Sequence, residues 1–319
     1  MNEQYPKSDH FDGNLFFNPG VNLDKPLSAL LKWQLTSNKK AWPDSVSNTA
    51  KPQLATEVKD GEAFLTFINH ATFLIQMSTV NILTDPVFSQ RASPVQWAGP
   101  KRVRPPGLAI EQLPKIDLVV VSHNHYDHMD LVSLKDLKHR FDPVFIVPLG
   151  NKRYFEKFGD EKVIELDWWQ THKILGVDVT LTPAQHWSAR GMFDRREALW
   201  GGFYFQGLGK KIYFAGDSGY CQCFTEVQRR LTAPEIALIP IGAYEPRWFM
   251  KESHLNPEES VQSHLDVGAK TSIAMHFGTF PLTDESIDDP VVDLQKAKEK
   301  KQLSPEAFLV MEVGETRKF

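Results

Sequence analysis

Short apolar runs separated by turn-forming residues dominate the chain from residue 62 onward. The segment AFLTFINHATFLIQM predicts two strands interrupted at Asn69–His70, and VNILTDPVF predicts a third strand that ends at Asp85–Pro86. KIDLVVVSH is an almost continuous apolar run, which is typical of a strand buried on both faces. Five later segments also predict strands: VDVTLTPAQHW, WGGFYFQ, KKIYFAGDSG, EIALIPIGAY and TSIAMHFGTF.

Apolar residues at helical spacing lie between these strands. NPEESVQSHLDVGA predicts a helix whose N-cap is Asn256 and whose first turn contains Pro257. Another helix is predicted from four residues at helical spacing, namely Leu131, Leu134, Leu137 and Phe141. Because strands and helices are interspersed along the whole chain, the fold class is α/β or α+β.

The first 59 residues differ from the rest of the chain and are rich in Asn, Lys, Pro and Ser. Within them, KPLSALLKWQLTSNKKAWP places leucines at helical spacing among lysines, which predicts a basic amphipathic helix. Such a helix can lie on a membrane surface, but we favour a helix packed on the main domain. We therefore divide the chain into an N-terminal extension, residues 1–59, and one domain, residues 60–319.

Composition and charge narrow the function classes. The 319 residues carry a net charge of −4, which gives no general attraction to nucleic acid or anionic lipid. The two cysteines, Cys221 and Cys223, are one residue apart, which is poor geometry for a mutual disulfide. The N-terminus has no secretory pattern, and no apolar run reaches the ~18 residues that a membrane span needs. We expect a soluble protein in a reducing compartment, most simply the cytoplasm.

The most polar segment of the chain directly follows its most apolar strand. SHNHYDH, residues 122–128, contains the pattern H-x-H-x-D-H. His123 and His125 are two apart on an extended segment, so both can reach one metal ion. Asp127 and His128 lie where strand turns into helix and can face a second ion. All of these side chains offer nitrogen or oxygen donors. Such donors indicate a site for Zn²⁺, Fe or Mn²⁺ and not a closed structural site made of thiolates.

One cluster cannot complete two coordination spheres, so further ligands are expected from distant strand ends. His186, Asp217 and His276 each lie at or just past the end of an apolar strand. A single such residue is usually part of the core, but repeated coincidences in one chain favour a metal site. The other histidines lack this context: we expect structural or exposed roles for His10, His70, His139 and His172, packing for His264, and leave His254 open.

This arrangement resembles the metallo-β-lactamase superfamily. The resemblance implies a four-layer αβ/βα sandwich with a dinuclear metal site at the strand ends, most simply two Zn²⁺ ions, with Mn²⁺ or Fe as alternatives. It also implies which residues bind them: His123, His125 and His186 for the first ion, Asp127, His128 and His276 for the second, and Asp217 as the bridge. A bridging aspartate favours a phosphoester, thioester or lactone hydrolase.

Longer motifs resemble a narrower branch, the N-acyl-phosphatidylethanolamine-hydrolysing phospholipase D family. The resemblance covers roughly residues 62–315 and includes LTDPVFSQRASPVQWAGPKR, VIELDWW, TPAQHWS, YFAGDSGYC, IPIGAYEPRWFMK, HLNPEES and MHFGTF. It implies hydrolysis of that phospholipid to an N-acylethanolamine and phosphatidic acid. The first 60 residues match poorly, so membrane attachment is left open.

Roles for individual residues follow from the chemistry and the resemblance. Two catalytic aspartates are expected: Asp217 sets the separation of the metal ions, and Asp127 orients the attacking hydroxide. Histidine ligands need hydrogen-bond partners that fix their tautomers. Asp85 is a candidate for that part, with a turn residue before Pro86 as the equal alternative.

The IGAYEPRWFMK loop is placed at the mouth of the site by the resemblance. Arg247 suits a bidentate phosphate contact, although a solvated charged loop is the alternative. Tyr244 and His254 are expected to bind substrate, and His254 is also a catalytic candidate. Trp248, followed by Phe249 and Met250, would line an acyl-chain groove or form ordinary core.

Other functions compete with this interpretation. The first alternative is a phosphodiesterase or lactonase that acts on a soluble metabolite, favoured if the N-terminal helix packs away from the site. A nuclease is rejected. Proteins that resemble the RNA-processing branch of the superfamily carry a large inserted domain between the bridging Asp and the last His, and here the interval from Asp217 to His276 is only 59 residues. A metal sensor or a mononuclear iron oxygenase fits seven ligands less well. The expected partner is a phospholipid or a small phosphodiester substrate, with no nucleic acid; peripheral membrane contact and homodimerisation are left open.

Overall fold

The computed structural model describes residues 5–159 and 161–319, and within them two seven-stranded sheets form the centre of the molecule. The first sheet contains β1 (Ala63–Asn69), β2 (Thr72–Met77), β3 (Val80–Thr84), β4 (Leu118–Val120), β5 (Val144–Pro148), β6 (Val163–Leu166) and β14 (Thr316–Lys318). The second contains β7 (Thr171–Ile174), β8 (Val177–Thr182), β9 (Gly202–Gly207), β10 (Lys210–Phe214), β11 (Ile236–Pro240), β12 (Thr271–Met275) and β13 (Phe308–Leu309).

The two sheets have the same mixed construction. Their strand orders are β14-β1-β2-β3-β4-β5-β6 and β13-β12-β11-β10-β9-β8-β7. In the first sheet β3, β4, β5 and β6 run parallel, and in the second β10, β11, β12 and β13 do so. The remaining neighbours are antiparallel. Parallel strands bring their carboxyl ends to one edge of a sheet, where polar residues that follow each strand can meet.

Helices cover the outer faces of both sheets. The helices are α1 (Leu27–Thr36), α2 (Leu131–Phe141), α3 (Cys223–Leu231), α4 (Arg247–Met250), α5 (Pro257–Val267) and α6 (Asp289–Lys300). Leu134 and Leu137 of α2 pack with Val119 and Phe145 of the first sheet. The main core joins both sheets to α3, α5 and α6. The order of layers is therefore helix, sheet, sheet, helices, as in the predicted αβ/βα sandwich.

The N-terminal extension lies on this sandwich. The Phe16 backbone N–H donates to the Arg196 carbonyl, the Lys40 N–H to the Asp284 carbonyl, and the Val46 N–H to the Val103 carbonyl. The rings of Phe11 and Phe16 are buried. The predicted amphipathic helix is α1, and it packs on the main domain: the indole of Trp33 stacks on Phe249 at 4.9 Å between ring centroids.

Most predicted elements are present, and their local signals are visible. Asn256 accepts from the Glu259 N–H at the start of α5, and Glu259 returns a bond to the Asn256 N–H. The sequence patterns did not predict β5, β6, β7, β13, β14, α3 or α6, and they treated the segment that forms α4 as a loop. Within the described residues, no helix combines the length and apolar character that a membrane crossing requires.

One prediction about the cysteines was wrong. Cys221 and Cys223 form a disulfide, with Cα atoms 5.3 Å apart. The chain turns there into α3, which brings the two Cα atoms within the range that disulfides span. The cysteines therefore give no support to the expectation of a reducing compartment.

Candidate metal centre

Three histidines form the first cluster at the strand ends. His123 and His125 follow β4, and His186 follows β8 in the opposite sheet. His125 Nδ1 lies 2.9 Å from His123 Nε2 and 3.2 Å from His186 Nε2. The three ligand atoms lie close enough to share one metal ion. Two sheets therefore supply one trihistidine group, which is a common ligand set for a catalytic metal.

The second cluster adds three predicted residues and one that was not predicted. Asp127, His128 and His276 converge with His70, which lies in the turn between β1 and β2. Asp127 Oδ2 lies 3.6 Å from His128 Nε2, 3.4 Å from His276 Nε2 and 3.1 Å from His70 Nε2. This cluster could hold a second ion beside the first.

Asp217 lies between the two clusters. Its Oδ2 is 3.0 Å from His276 Nε2 and 3.2 Å from His128 Nε2 on one side. On the other side it is 4.0 Å from His186 Nε2 and 3.7 Å from His254 Nδ1. The carboxylate is almost fully buried. This central position is the one that a bridging ligand needs.

Unpartnered buried atoms show that the cluster fits metal ions. Within the described residues, His128 Nε2, His276 Nε2 and Asp217 Oδ1 are buried and make no hydrogen bond. Uncompensated buried polar atoms are costly. Nitrogens and carboxylate oxygens that approach to about 3 Å without hydrogen-bond geometry are arranged as ligands of a shared cation would be. The donor set therefore fits divalent metal ions.

The electrostatics of the site also suit cations. Burial raises the pKa of Asp127 and Asp217, but the neighbouring histidines, His128 first, hold both well below the usual value. Both carboxylates are therefore anionic. Burial lowers the pKa of His125 and His186 to about 3, and the neutral imidazole that results is the form that binds metal. Burial also opposes the charged form of His128 and His276, but Asp217 and Asp127 raise the pKa of both above the usual value, to about 9 for His276, so a metal ion would replace a proton on these two rings.

Hydrogen bonds behind the cluster fix the histidine tautomers. The buried Asp85 accepts from His128 Nδ1 at 2.6 Å and from the Ser122 backbone N–H at 2.6 Å. The Ser122 hydroxyl donates to Asp85 and lies 2.9 Å from His123 Nδ1. His128 and His123 thus present their Nε2 atoms to the metal position. This confirms the prediction that Asp85 is a hydrogen-bond partner of a histidine ligand.

Backbone strain is concentrated in the same place. His70, Asp85 and His276 all have positive φ, at 46°, 33° and 61°. Non-glycine residues adopt this region rarely, and surrounding structure must hold them there. The His276 N–H donates to the His70 carbonyl at 2.7 Å, which ties two of the strained residues together.

Side chains from outside the two sheets hydrogen-bond to the backbone around the proposed metal-binding residues. Asn18 of the extension accepts from the His186 N–H at 3.2 Å and donates to the His186 carbonyl at 2.8 Å. Arg190 donates to the carbonyls of Asn124 and Met129, at 2.8 and 2.7 Å, and so joins both ends of the H-x-H-x-D-H loop. The sequence patterns indicated neither contact.

A pocket of about 480 Å³ opens onto the cluster. His125, Asp127, Asp217 and His254 form its floor. Its walls are mainly apolar or aromatic: Leu23, Leu30, Trp33, Tyr126, Trp187, Phe249, Met250 and Leu282. Three of these wall residues belong to the N-terminal extension. The pocket thus combines a polar reaction centre with walls that suit a hydrocarbon chain.

Three residues expected to bind substrate do not line this pocket. The buried Tyr244 donates its hydroxyl to Asp293 at 2.7 Å. Arg247 pairs with Glu259 at 2.8 Å and donates to the His254 carbonyl at 2.9 Å. Trp248 is half exposed outside the pocket. Of the residues predicted around the substrate, His254 lies at the metal centre, and Phe249 and Met250 line the pocket wall as expected for an acyl-chain groove.

The histidine predictions need one correction. His70 was expected to be structural or exposed, but it is buried beside Asp127 at the metal cluster. Its position in the turn directly after β1 was the available signal, since the other site residues also follow strands. His264 packs in the core as expected and bonds to the Ser272 hydroxyl. Arg102, in the basic segment that precedes the first 3-10 turn, is buried and donates to the Val87 and Ser89 carbonyls.

Comparison with known proteins agrees with this geometry. Residues 80–277 match the family described as "Beta-lactamase superfamily domain". The chain is 39% identical to N-acyl-phosphatidylethanolamine-hydrolyzing phospholipase D 1 of Caenorhabditis elegans, over 79% of this chain and 74% of that protein. It is 37% identical to the mitochondrial N-acyl-phosphatidylethanolamine-hydrolyzing phospholipase D of Saccharomyces cerevisiae, over 69% of this chain and 48% of that protein.

A solved structure shows the same fold. The metallo-hydrolase Igni18 of the archaeon Ignicoccus hospitalis superposes with a TM-score of 0.61, over 81% of this chain and 98% of that chain, at 24% identity. The superposition agrees with the two-sheet sandwich described above.

Proposed function

Since the chain belongs to the metallo-β-lactamase superfamily and is a metal-dependent hydrolase, we propose that it cleaves N-acyl-phosphatidylethanolamine in the manner of a phospholipase D. Water attacks phosphorus, the bond between phosphorus and the ethanolamine oxygen breaks, and phosphatidate and an N-acylethanolamine are released. The cofactors we propose are two divalent ions, most simply Zn²⁺. The relatives named for this activity support the substrate.

The observation that carries the proposal is the pocket itself. Its floor is the metal cluster, and its walls are mainly apolar side chains from α1, α4 and the loops around them. A soluble phosphodiester or lactone would gain little from such walls, whereas an acyl chain would be desolvated by them. Because α1 contributes to the mouth instead of packing elsewhere, the lipid substrate is favoured over the soluble alternative.

We assign the residues of the site to metal binding and to contact with the leaving group. When bound, the metal ions would lower the pKa of a water molecule and neutralise charge on the phosphoryl oxygens. His123, His125 and His186 would hold one ion, Asp127, His128 and His276 the other, and Asp217 would bridge them. His254 lies in the pocket beside Asp217. Burial lowers the pKa of His254 to about 3, so its neutral imidazole would hydrogen-bond to the departing ethanolamine oxygen through a ring N–H.

We also propose that the mouth of the pocket meets a lipid surface. Large apolar side chains are exposed on three segments that each supply a pocket residue. The exposed fractions are 86% for Leu35, 82% for Trp97 and 89% for both Met192 and Phe193. Exposed apolar groups on segments that also line the pocket suit contact with a membrane. A lipid substrate could then enter the pocket without crossing water.

The proposed reaction can be tested with labelled water. The zinc-loaded protein is incubated with N-acyl-phosphatidylethanolamine in mixed micelles in H₂¹⁸O, and the products are identified by mass spectrometry. We expect N-acylethanolamine and phosphatidate in equal amounts, with ¹⁸O in the phosphatidate only. Diacylglycerol as product would indicate cleavage of the other phosphoester bond. An intact phospholipid together with turnover of a water-soluble phosphodiester or lactone would contradict the proposal.

A further inference from the structure

Two cations line the catalytic pocket, and they differ in what they contact. They are Lys25 and Arg195. The Arg195 guanidinium is engaged: it lies 3.3 Å from Asp24, donates to the Leu23 carbonyl at 3.1 Å and stacks on the Trp187 ring at 3.7 Å. Arg195 therefore holds the extension against the pocket wall and has little capacity left for a ligand.

Lys25 has no comparable partner. Its ammonium lies 4.0 Å above the centre of the Phe249 ring, and among the described residues no carboxylate lies within ion-pair distance of it. Burial, with smaller contributions from Arg195 and Arg247, lowers the pKa of Lys25 to about 8, while the charge of Glu252 acts in the opposite direction. The side chain remains mainly charged at neutral pH. A half-buried ammonium that makes no hydrogen bond or ion pair with the described residues can still bind an acceptor.

The surroundings of Lys25 favour an anion as that acceptor. The helix α1 begins two residues later, with no side-chain cap at Pro26 and no acidic residue in its first turn. The positive end of its dipole is therefore not compensated locally. Arg247 is paired with Glu259. Glu252 is exposed, and its carbonyl accepts from Gln185.

We propose that Lys25 is the anion-binding residue of the pocket and contacts a phosphoryl oxygen of the substrate. A lysine ammonium is a compact charge that binds phosphate without demanding bidentate geometry. The contact that residue types suggested for Arg247 is thus made by a residue of the N-terminal extension. This inference deepens the proposed function and rests on it for the identity of the phosphate-bearing substrate.

Lys25 could instead act only by packing on Phe249, as a cation over an aromatic ring. The substitution Lys25→Met separates the two roles, because methionine keeps an unbranched apolar side chain on the ring and removes the charge. Lys32→Met is the matched control. The Lys32 ammonium lies 4.7 Å over the neighbouring Trp248 ring, but Lys32 does not line the pocket.

The experiment measures binding of the two proposed products to the full zinc-loaded chain by titration calorimetry. Dioctanoyl phosphatidate carries the anion, and N-decanoylethanolamine is the neutral probe. We expect Lys25→Met to weaken binding of the phosphatidate by about 10- to 100-fold and to leave binding of the neutral probe within twofold. Lys32→Met should bind both probes as the wild type does, and zinc content should be the same in all three proteins.

Three outcomes would overturn the inference. They are unchanged phosphatidate binding in Lys25→Met, an equal loss for the neutral probe, or no phosphatidate binding by the wild type. Failure of the proposed function has a different signature. In that case the wild type leaves N-acyl-phosphatidylethanolamine intact, while the phosphatidate affinity still depends on Lys25.

Discussion

The floor and the mouth of the catalytic pocket are built in opposite ways. The floor is the metal cluster, most of whose residues follow strands, and buried hydrogen bonds fix several of its rings, as Asp85 fixes His128 and the Ser253 carbonyl fixes His186. The mouth is built from α1 and α4, which meet through the Trp33–Phe249 stack and leave leucines of α1 in solvent. Rigid strand ends suit ligands that must be placed within fractions of an ångström. A partly exposed helix pair suits a bulky, variable substrate.

This difference implies different responses to substitution. A substitution in the floor removes a ligand from the buried metal site, so catalytic activity and metal content should fall together. A change in the mouth removes contact area and should affect access of lipid while the metal site stays intact. The following predictions test that separation.

The largest effect is expected from Asp217→Asn. The substitution removes the central anion that lies within 3.2 Å of both His128 and His276. We expect activity to fall by roughly 10²-fold or more through loss of metal bridging, and metal content measured by atomic spectroscopy to fall with it. The exposed Asp136→Asn on α2 is the control and should retain both. Near wild-type activity in Asp217→Asn would remove Asp217 from the bridging role.

Sequence patterns were informative for the floor because its signals are local. A polar residue after an apolar strand is visible in a short window, and this identified His123, His186, Asp217 and His276. It also suggested the part that Asp85 plays, although a turn was equally consistent. His70 was missed because a lone histidine after a strand is more often structural, and only the fold brings the β1–β2 turn beside Asp127.

The mouth was predicted poorly because its contacts are distant in sequence. Arg247 has the right chemistry for phosphate, but Glu259, twelve residues later, takes its guanidinium. The Tyr244 hydroxyl is likewise not available to a ligand, because it donates a hydrogen bond to Asp293. Lys25 lies in an extension without a clear motif, and its place in the pocket depends on how α1 docks on α4. Residue type alone cannot show which side chains remain available to a ligand.

An intermediate effect is expected from Asn18→Ala, which tests whether the extension reaches the floor as well as the mouth. The substitution leaves the buried backbone N–H and carbonyl of His186 without the partners that Asn18 provides. We expect the free energy of unfolding to fall by about 1–3 kcal/mol and zinc affinity to fall by about tenfold. Chemical denaturation and competition with a chelator measure the two quantities.

The exposed Asn14→Ala is the control for this substitution, since the Asn14 side chain is in solvent. Unchanged zinc affinity together with lower stability would mean that Asn18 holds the extension without affecting the metal ligand. The N-terminal extension would then contribute to folding stability but not to metal binding at the floor.

The smallest effect is expected from changing Leu31 and Leu35 together to Ser. Leu31 is 50% and Leu35 86% exposed on α1, so the fold should lose little stability. Burial of a leucine side chain in an apolar environment contributes about 1.5–3 kcal/mol, and partial burial of two should change vesicle affinity by about three- to tenfold. Sedimentation with phosphatidylcholine vesicles measures it. Turnover of a soluble phosphodiester should stay within twofold, because neither leucine touches the floor; a matching loss there would show that the mouth and the metal centre are not separable.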